Sequence, residues 1–255
     1  MSARIVTHFI AGYPSADASL EVARGLIAGG AFALEMQIPF SDPSADGPVI
    51  EGACNEALKS GFRVGDAFDL LRRIRAESDI PVFLMSYASL VFTPGIPAFV
   101  RRAKEAGASG LIVPDLVPGA DEGLYAAASA EGCPAVPVVV PWIDEARLDE
   151  VLSAPIEWVY VALRSGITGT YTELGPEQEE FLKGLRDKGG PSRKTMAGFG
   201  IQKPEQVAAV IRMADAAIVG SALVKVITET VDGGGDAAAT GKAVRDFVIS
   251  LRGGD

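Results

Sequence analysis

The chain has 255 residues, 48 % hydrophobic and 22 % charged, a globular balance with enough length to bury a sizeable core unaided. Lys plus Arg number 23 and Asp plus Glu 33, a net charge of −10, which argues against a nucleic-acid surface because phosphate backbones select a basic stripe. Two cysteines, Cys54 and Cys133, are too few for a disulfide framework, and neither has metal-ligand spacing around it, so no metal is expected.

The chain alternates short β-rich runs with longer Ala-, Leu-, Glu- and Arg-rich runs. A first strand is predicted over 4–10; its apolar run stops at Gly12-Tyr13-Pro14, too soon for a secretion signal. A helix follows over 16–28, a strand over 33–38, and helices over 50–59 and 64–77. The strand at 82–86 precedes a helix at 96–106, and the strand at 110–113 a helix at 121–130. Next come strand 135–140, helix 145–152, strand 158–163, helix 176–187, strand 195–199 and helix 204–213. Strand 216–219 precedes helices 222–230 and 237–251, which Gly233-Gly234-Gly235 separates. Near-continuous apolar strands alternating with helices describe a parallel sheet covered on both faces. Eight such strands predict an α/β fold, one (β/α)8 TIM-barrel domain over 1–255. An open doubly wound sheet is the alternative, weakened because no Gly-x-Gly-x-x-Gly follows the first strand. No run of about 18 apolar residues occurs, so a cytoplasmic protein without membrane contact is expected.

The long polar interruptions at 39–48 and 164–175 follow the second and sixth strands, which puts both at the C-terminal mouth of a barrel, where active sites are built. Within the second strand, alternation sets Glu35 and Gln37 on one face and Leu34, Met36 and Ile38 on the other. The apolar set belongs against helices, so Glu35 and Gln37 point into the barrel. Glu35 is then either a structurally paired carboxylate or a general acid/base, and periodicity alone divides the two evenly. Asp42 and Asp46 read as turn formers from spacing alone. His8, the one histidine, is placed near the mouth end of the first strand, as a satisfied polar core residue or a ligand contact near Glu35. Trp142 and Trp158 read as packing residues, and Arg164 as an ion-pair donor or a substrate contact. Gly198-Phe199-Gly200 and Gly220-Ser221 close the seventh and eighth strands, where backbone amides and a helix N-terminus can hold a phosphate; Gly166 to Gly169 could add a wall.

Taken together these residues resemble the tryptophan synthase α chain family. The signature is Leu34-Glu35-Met36-Gln37-Ile38-Pro39-Phe40-Ser41-Asp42-Pro43-Ser44-Ala45-Asp46-Gly47-Pro48. Matches at Tyr87, Pro114-Asp115-Leu116, Arg164 to Gly169, Gly198 to Ile201 and Gly220 to Lys225 occur in family order over nearly the whole chain. The resemblance implies a lyase that splits indole-3-glycerol phosphate into indole and glyceraldehyde 3-phosphate by a retro-aldol step. It implies Glu35 as the proton-transferring carboxyl, Asp46 as the carboxylate on the indole N–H, and Tyr160 beside the reacting centre. It implies Thr168 as the loop residue closing onto the aspartate, and Gly169, Phe199, Gly200, Gly220 and Ser221 as the phosphate cradle. His8, Gln37 and Tyr87 complete the expected substrate-binding set. The family's α chain carries no cofactor. Its partner is a β chain bearing pyridoxal phosphate in an α2β2 assembly, with residues 39–42 at the interface.

The chain departs from the family pattern in several places. His8 stands where an aromatic packs on the indole ring, and Gln37 where the family has glycine. Ser89 replaces an asparagine and Leu163 a serine. The helix that usually precedes the first strand is missing before Arg4, which implies a less covered barrel floor. His8 and Gln37 in the pocket leave two other readings open: a weakly catalytic partner that activates a β chain, or a lyase for a different glycerol or sugar phosphate.

Overall fold

The computed structural model describes residues 3–163, 175–198 and 200–253. The strands are β1 (Ile5–Ile10), β2 (Ala33–Gln37), β3 (Val82–Met85), β4 (Gly110–Ile112), β5 (Ala135–Val136), β6 (Val138–Val139), β7 (Trp158–Ala162), β8 (Lys194–Gly198) and β9 (Ala216–Val219). All pair in parallel in one sheet of order β5-β4-β3-β2-β1-β9-β8-β7-β6. The two ends of that order, β5 and β6, are the halves of the predicted strand 135–140. Pro137 separates them because it has no N–H to give a ladder. Its carbonyl still accepts from the Tyr160 N–H at 2.9 Å, so the chain passing through Pro137 joins the sheet's ends into a barrel.

The helices are α1 (Ala16–Ala28), α2 (Pro48–Lys59), α3 (Val64–Glu77), α4 (Ala88–Phe92), α5 (Ile96–Ala106), α6 (Leu124–Ala130), α7 (Glu145–Ser153), α8 (Pro176–Gly189), α9 (Pro204–Ile211), α10 (Ser221–Asp232) and α11 (Ala237–Leu251). The predicted helix 121–130 starts late, at Leu124, because Asp121 to Gly123 form a turn with Gly123 left-handed. The short α4 was not foreseen; the Asp115 carboxylate accepts from the Ala88 N–H at 3.0 Å and holds its first turn.

Outward strand residues such as Phe9, Leu34, Met36 and Val161 join the helices in one apolar core. Inward residues form a second cluster that plugs the floor, where Trp158 meets Phe32 and Phe83 at ring distances of 6.1 and 6.3 Å. Arg4 covers the Phe32 ring from 5.3 Å. The floor is thus filled by aromatic side chains.

α11 lies along α1 at a glycine contact. A Cβ on Gly25 would stand 2.0 Å from the Gly241 carbonyl oxygen, a backbone atom that cannot swing aside. Gly52, on the exposed face of α2, has nothing within 4 Å of the same added atom. Ala substitution at both therefore separates packing from propensity. Gly52→Ala is expected to raise stability in urea unfolding by about 0.5–1 kcal/mol. Gly25→Ala is expected to lower it by about 1–3 kcal/mol despite the same helix-propensity gain.

Candidate active site

The β1–β2 register sets His8 beside Glu35, and parallel neighbours in register project to the same face. Both face the barrel interior, as the alternation of β2 requires, and both are almost fully buried. His8 Nδ1 lies 3.1 Å from Glu35 Oε1. Burial works against the charged imidazole, but the Glu35 carboxylate beside it and Asp46 beyond it hold His8 above its ordinary value. His8 Nε2 and Glu35 Oε2 are buried without a hydrogen-bond partner among the described residues. Two unsatisfied polar atoms in one buried pair mark a place built to meet a polar ligand.

Asp46 comes from the loop between β2 and α2. Its N–H donates to the Pro43 carbonyl at 2.9 Å, and Pro48 begins α2 two residues on. Asp46 Oδ2 accepts from the Tyr87 hydroxyl and from Gln37 Nε2, both at 2.8 Å. Burial raises the Asp46 pKa and Glu35 adds to the rise; His8, Tyr87 and Gln37 oppose it without cancelling it. The Tyr87 hydroxyl also accepts from the Ala45 N–H at 3.2 Å, and its ring stacks on Phe40 at 5.3 Å, so Tyr87 ties the loop to β3. Tyr160, on β7, is raised well above its ordinary value by burial and by the charges of Glu35 and Asp46.

These groups border a cavity of about 310 Å³, at the small end for small-molecule sites. His8, Glu35, Asp46 and Tyr160 line it, with apolar walls from Met85, Ile112, Val138 and Ile218. Gly200, Gly220 and Ser221 line it too. Gly220 precedes the first turn of α10, and Gly200 adopts φ +74°, a conformation suited to glycine. That arrangement offers backbone N–H groups and the positive end of a helix dipole to an anion.

Gln37 and Tyr87 were expected to touch substrate, but neither is on the cavity wall. They are buried and bonded to Asp46 instead, because the loop folds that carboxylate back over β2 and β3. Gln37 therefore adds no bulk to the cavity. Thr168, Gly169 and Phe199, with Arg164, lie outside the described residues. Trp142, expected in packing, is 55 % exposed and lines the cavity. Its place just past β6, at the C-terminal mouth, was the signal that could have found it. Among the described residues no group of three or more His, Cys, Asp or Glu could hold a metal ion, and no helix is long and apolar enough to cross a membrane.

The family model described as tryptophan synthase alpha chain matches residues 1–247. The chain belongs to the tryptophan synthase alpha chain family. The alpha chain of Opitutus terrae is 38 % identical over 227 residues, covering 89 % of this chain and 85 % of that one. That of Desulfotalea psychrophila is 36 % identical over 248 residues, covering 97 % and 93 %. The crystal structure of a tryptophan synthase complex from Pyrococcus furiosus superposes with a TM-score of 0.85 at 29 % identity, covering 98 % of each chain. The alpha chain signature and the buried carboxylates thus fall on the same loop and strand.

The His8–Glu35 pair makes stability depend on pH. Because the folded protein holds His8 above its ordinary value of about 6.5, the stability gained from protonating it is full below that value and is lost as pH rises through the folded one. The stability lead of the wild type over His8→Phe is therefore expected to narrow between about pH 6 and about pH 9. Urea unfolding at both values measures it; a constant or widening lead contradicts the pairing.

Proposed function

We infer that this chain is the α subunit of tryptophan synthase, a lyase that cleaves indole-3-glycerol phosphate to indole and glyceraldehyde 3-phosphate. The observation that carries the reading is one cavity shared by two buried carboxylates, Glu35 and Asp46, and the amide-rich start of α10. Apolar walls suit the indole ring, and backbone amides suit the phosphate, so the ligand is held at both ends. Asp46 accepts the ring N–H and stabilises positive charge as the ring is protonated. Glu35 delivers a proton to ring carbon 3 and takes the proton of the adjacent glycerol hydroxyl. The bond between ring carbon 3 and the hydroxyl-bearing carbon then breaks, giving the aromatic ring back as indole and leaving an aldehyde. One carboxyl giving and taking a proton at neighbouring atoms returns to its starting state. Tyr160 borders the reacting centre. His8, drawn to Glu35, holds that carboxylate in place rather than packing on the ring. Gln37 is not among the residues that line the cavity, so of the two departures from the family pattern only His8 borders the ligand space. Thr168, Gly169 and Phe199 would complete the lid and cradle.

The reading includes a β-chain partner in an α2β2 assembly, supported by the likeness to a tryptophan synthase complex. The β chain would bind pyridoxal phosphate and consume the indole; the α chain needs no resident cofactor for a carbon–carbon cleavage driven by proton transfers. Ser41 and Asp42, exposed on the 39–42 loop, would meet it in this reading.

Incubation with indole-3-glycerol phosphate tests the reading. The wild type is expected to release indole, and faster with a β chain present. Glu35→Gln is expected to lose about 10²–10⁴ of that rate while still binding the substrate in calorimetry, since the phosphate grip lies elsewhere. No indole from folded wild-type protein in either condition overturns it.

A further inference from the structure

Gln37 is fully buried, and its amide is the second donor on the Asp46 carboxylate. Its Nε2 donates to Asp46 Oδ2 at 2.8 Å and to Cys54 Sγ at 3.5 Å, while its Oε1 has no hydrogen-bond partner among the described residues. Only the NH2 end of an amide is attracted to a carboxylate, so its neighbours fix the orientation of this side chain. Leaving an amide carbonyl unpaired in the interior is unfavourable. The compensating contact is a charge-assisted hydrogen bond to Asp46. The Tyr87 hydroxyl reaches the same oxygen at 2.8 Å from the segment just after β3. Two donors, one on β2 and one just past the end of β3, thus converge on Oδ2, and neither goes to Oδ1. A carboxylate held by one oxygen at two points cannot rotate freely about its Cβ–Cγ bond.

We propose that Gln37 is a positioning residue that locks the rotation of Asp46, so that Oδ1 is the oxygen presented to the ring N–H of the substrate. Gln37 touches no substrate; it acts through Asp46 and governs recognition of a ring N–H donor. The proposal rests on the assignment of Asp46 to the ring nitrogen.

The test is a double-mutant cycle in the full chain, read as kcat and KM for indole release from indole-3-glycerol phosphate. Gln37→Met keeps the length of the side chain and removes its donor. It is expected to lower kcat about tenfold, the size of one charge-assisted hydrogen bond, and to change KM less than about twofold, because phosphate binding is untouched. On an Asp46→Asn background the same substitution is expected to change kcat less than about twofold, because the carboxylate it positions is gone. A tenfold loss that persists in that background, or no loss in the wild-type background, overturns the proposal. Gln37→Leu gives the same comparison should the methionine variant not fold. Absence of indole release from the wild type would instead overturn the assignment of the reaction itself, so the two failures are distinguishable.

Discussion

Two carboxylates, Glu35 and Asp46, are buried against one cavity inside a barrel whose interior is mostly apolar. Burying an ionised carboxylate is costly unless partners supply compensating charge or hydrogen bonds. Much of the local structure answers that demand. β1 supplies His8 to Glu35. β2 supplies Gln37 and the chain after β3 supplies Tyr87, both to Asp46. The loop 39–48 is stapled down by the Tyr87 hydroxyl and the stacked Phe40 because it carries one of the two acids. The partners are unlike, and so are the roles. Glu35 keeps an oxygen without a hydrogen-bond partner among the described residues, which suits the proton transfer proposed for it; Asp46 is held by two donors, which suits the hydrogen-bond acceptor proposed for it.

The barrel gives this polar pair its setting. The aromatic cluster of Trp158, Phe83 and Phe32 fills the end of the barrel away from the loops that follow the strands. An overall charge of −10 is compatible with a phosphorylated ligand because Gly200, Gly220 and Ser221 offer oriented backbone amides rather than mobile cations. The strand order brings β1 between β2 and β9, so His8 lies between Glu35 and Gly220, and the proposed proton-transfer site adjoins the proposed anion site. A single ligand with a hydroxyl between a ring and a phosphate fits that adjacency.

Much of this was legible in the sequence because it follows from periodicity. Alternation in 33–38 placed Glu35 and Gln37 inward, and the glycines noted after the last two strands, Gly200 and Gly220, line the cavity. The signature from Leu34 to Pro48 carried the family. The partners of the carboxylates were not legible, because hydrogen bonds across strands depend on register and on how a loop folds back. Gln37 read as a neighbour of Glu35 from its spacing of two, yet its amide meets Asp46, nine residues on. Tyr87 read as a substrate contact, and its bonds to Asp46 and to the Ala45 N–H were not foreseen. The split at Pro137 could have been foreseen from the missing N–H; the unbroken apolar run around it outweighed that signal. Trp142 was misplaced because an aromatic residue has the same signature in a core and at a cavity mouth.

The central claim is that one ligand spans the carboxylates and the amide cradle. A crystal structure of the Glu35→Gln variant with indole-3-glycerol phosphate tests it directly. The account predicts the phosphate on the backbone amides of Gly200, Gly220 and Ser221, and the ring nitrogen at about 3 Å from the Asp46 carboxylate. It also predicts the glycerol hydroxyl beside the substituted residue. A phosphate bound away from those glycines, or a ring nitrogen turned from Asp46, would contradict it.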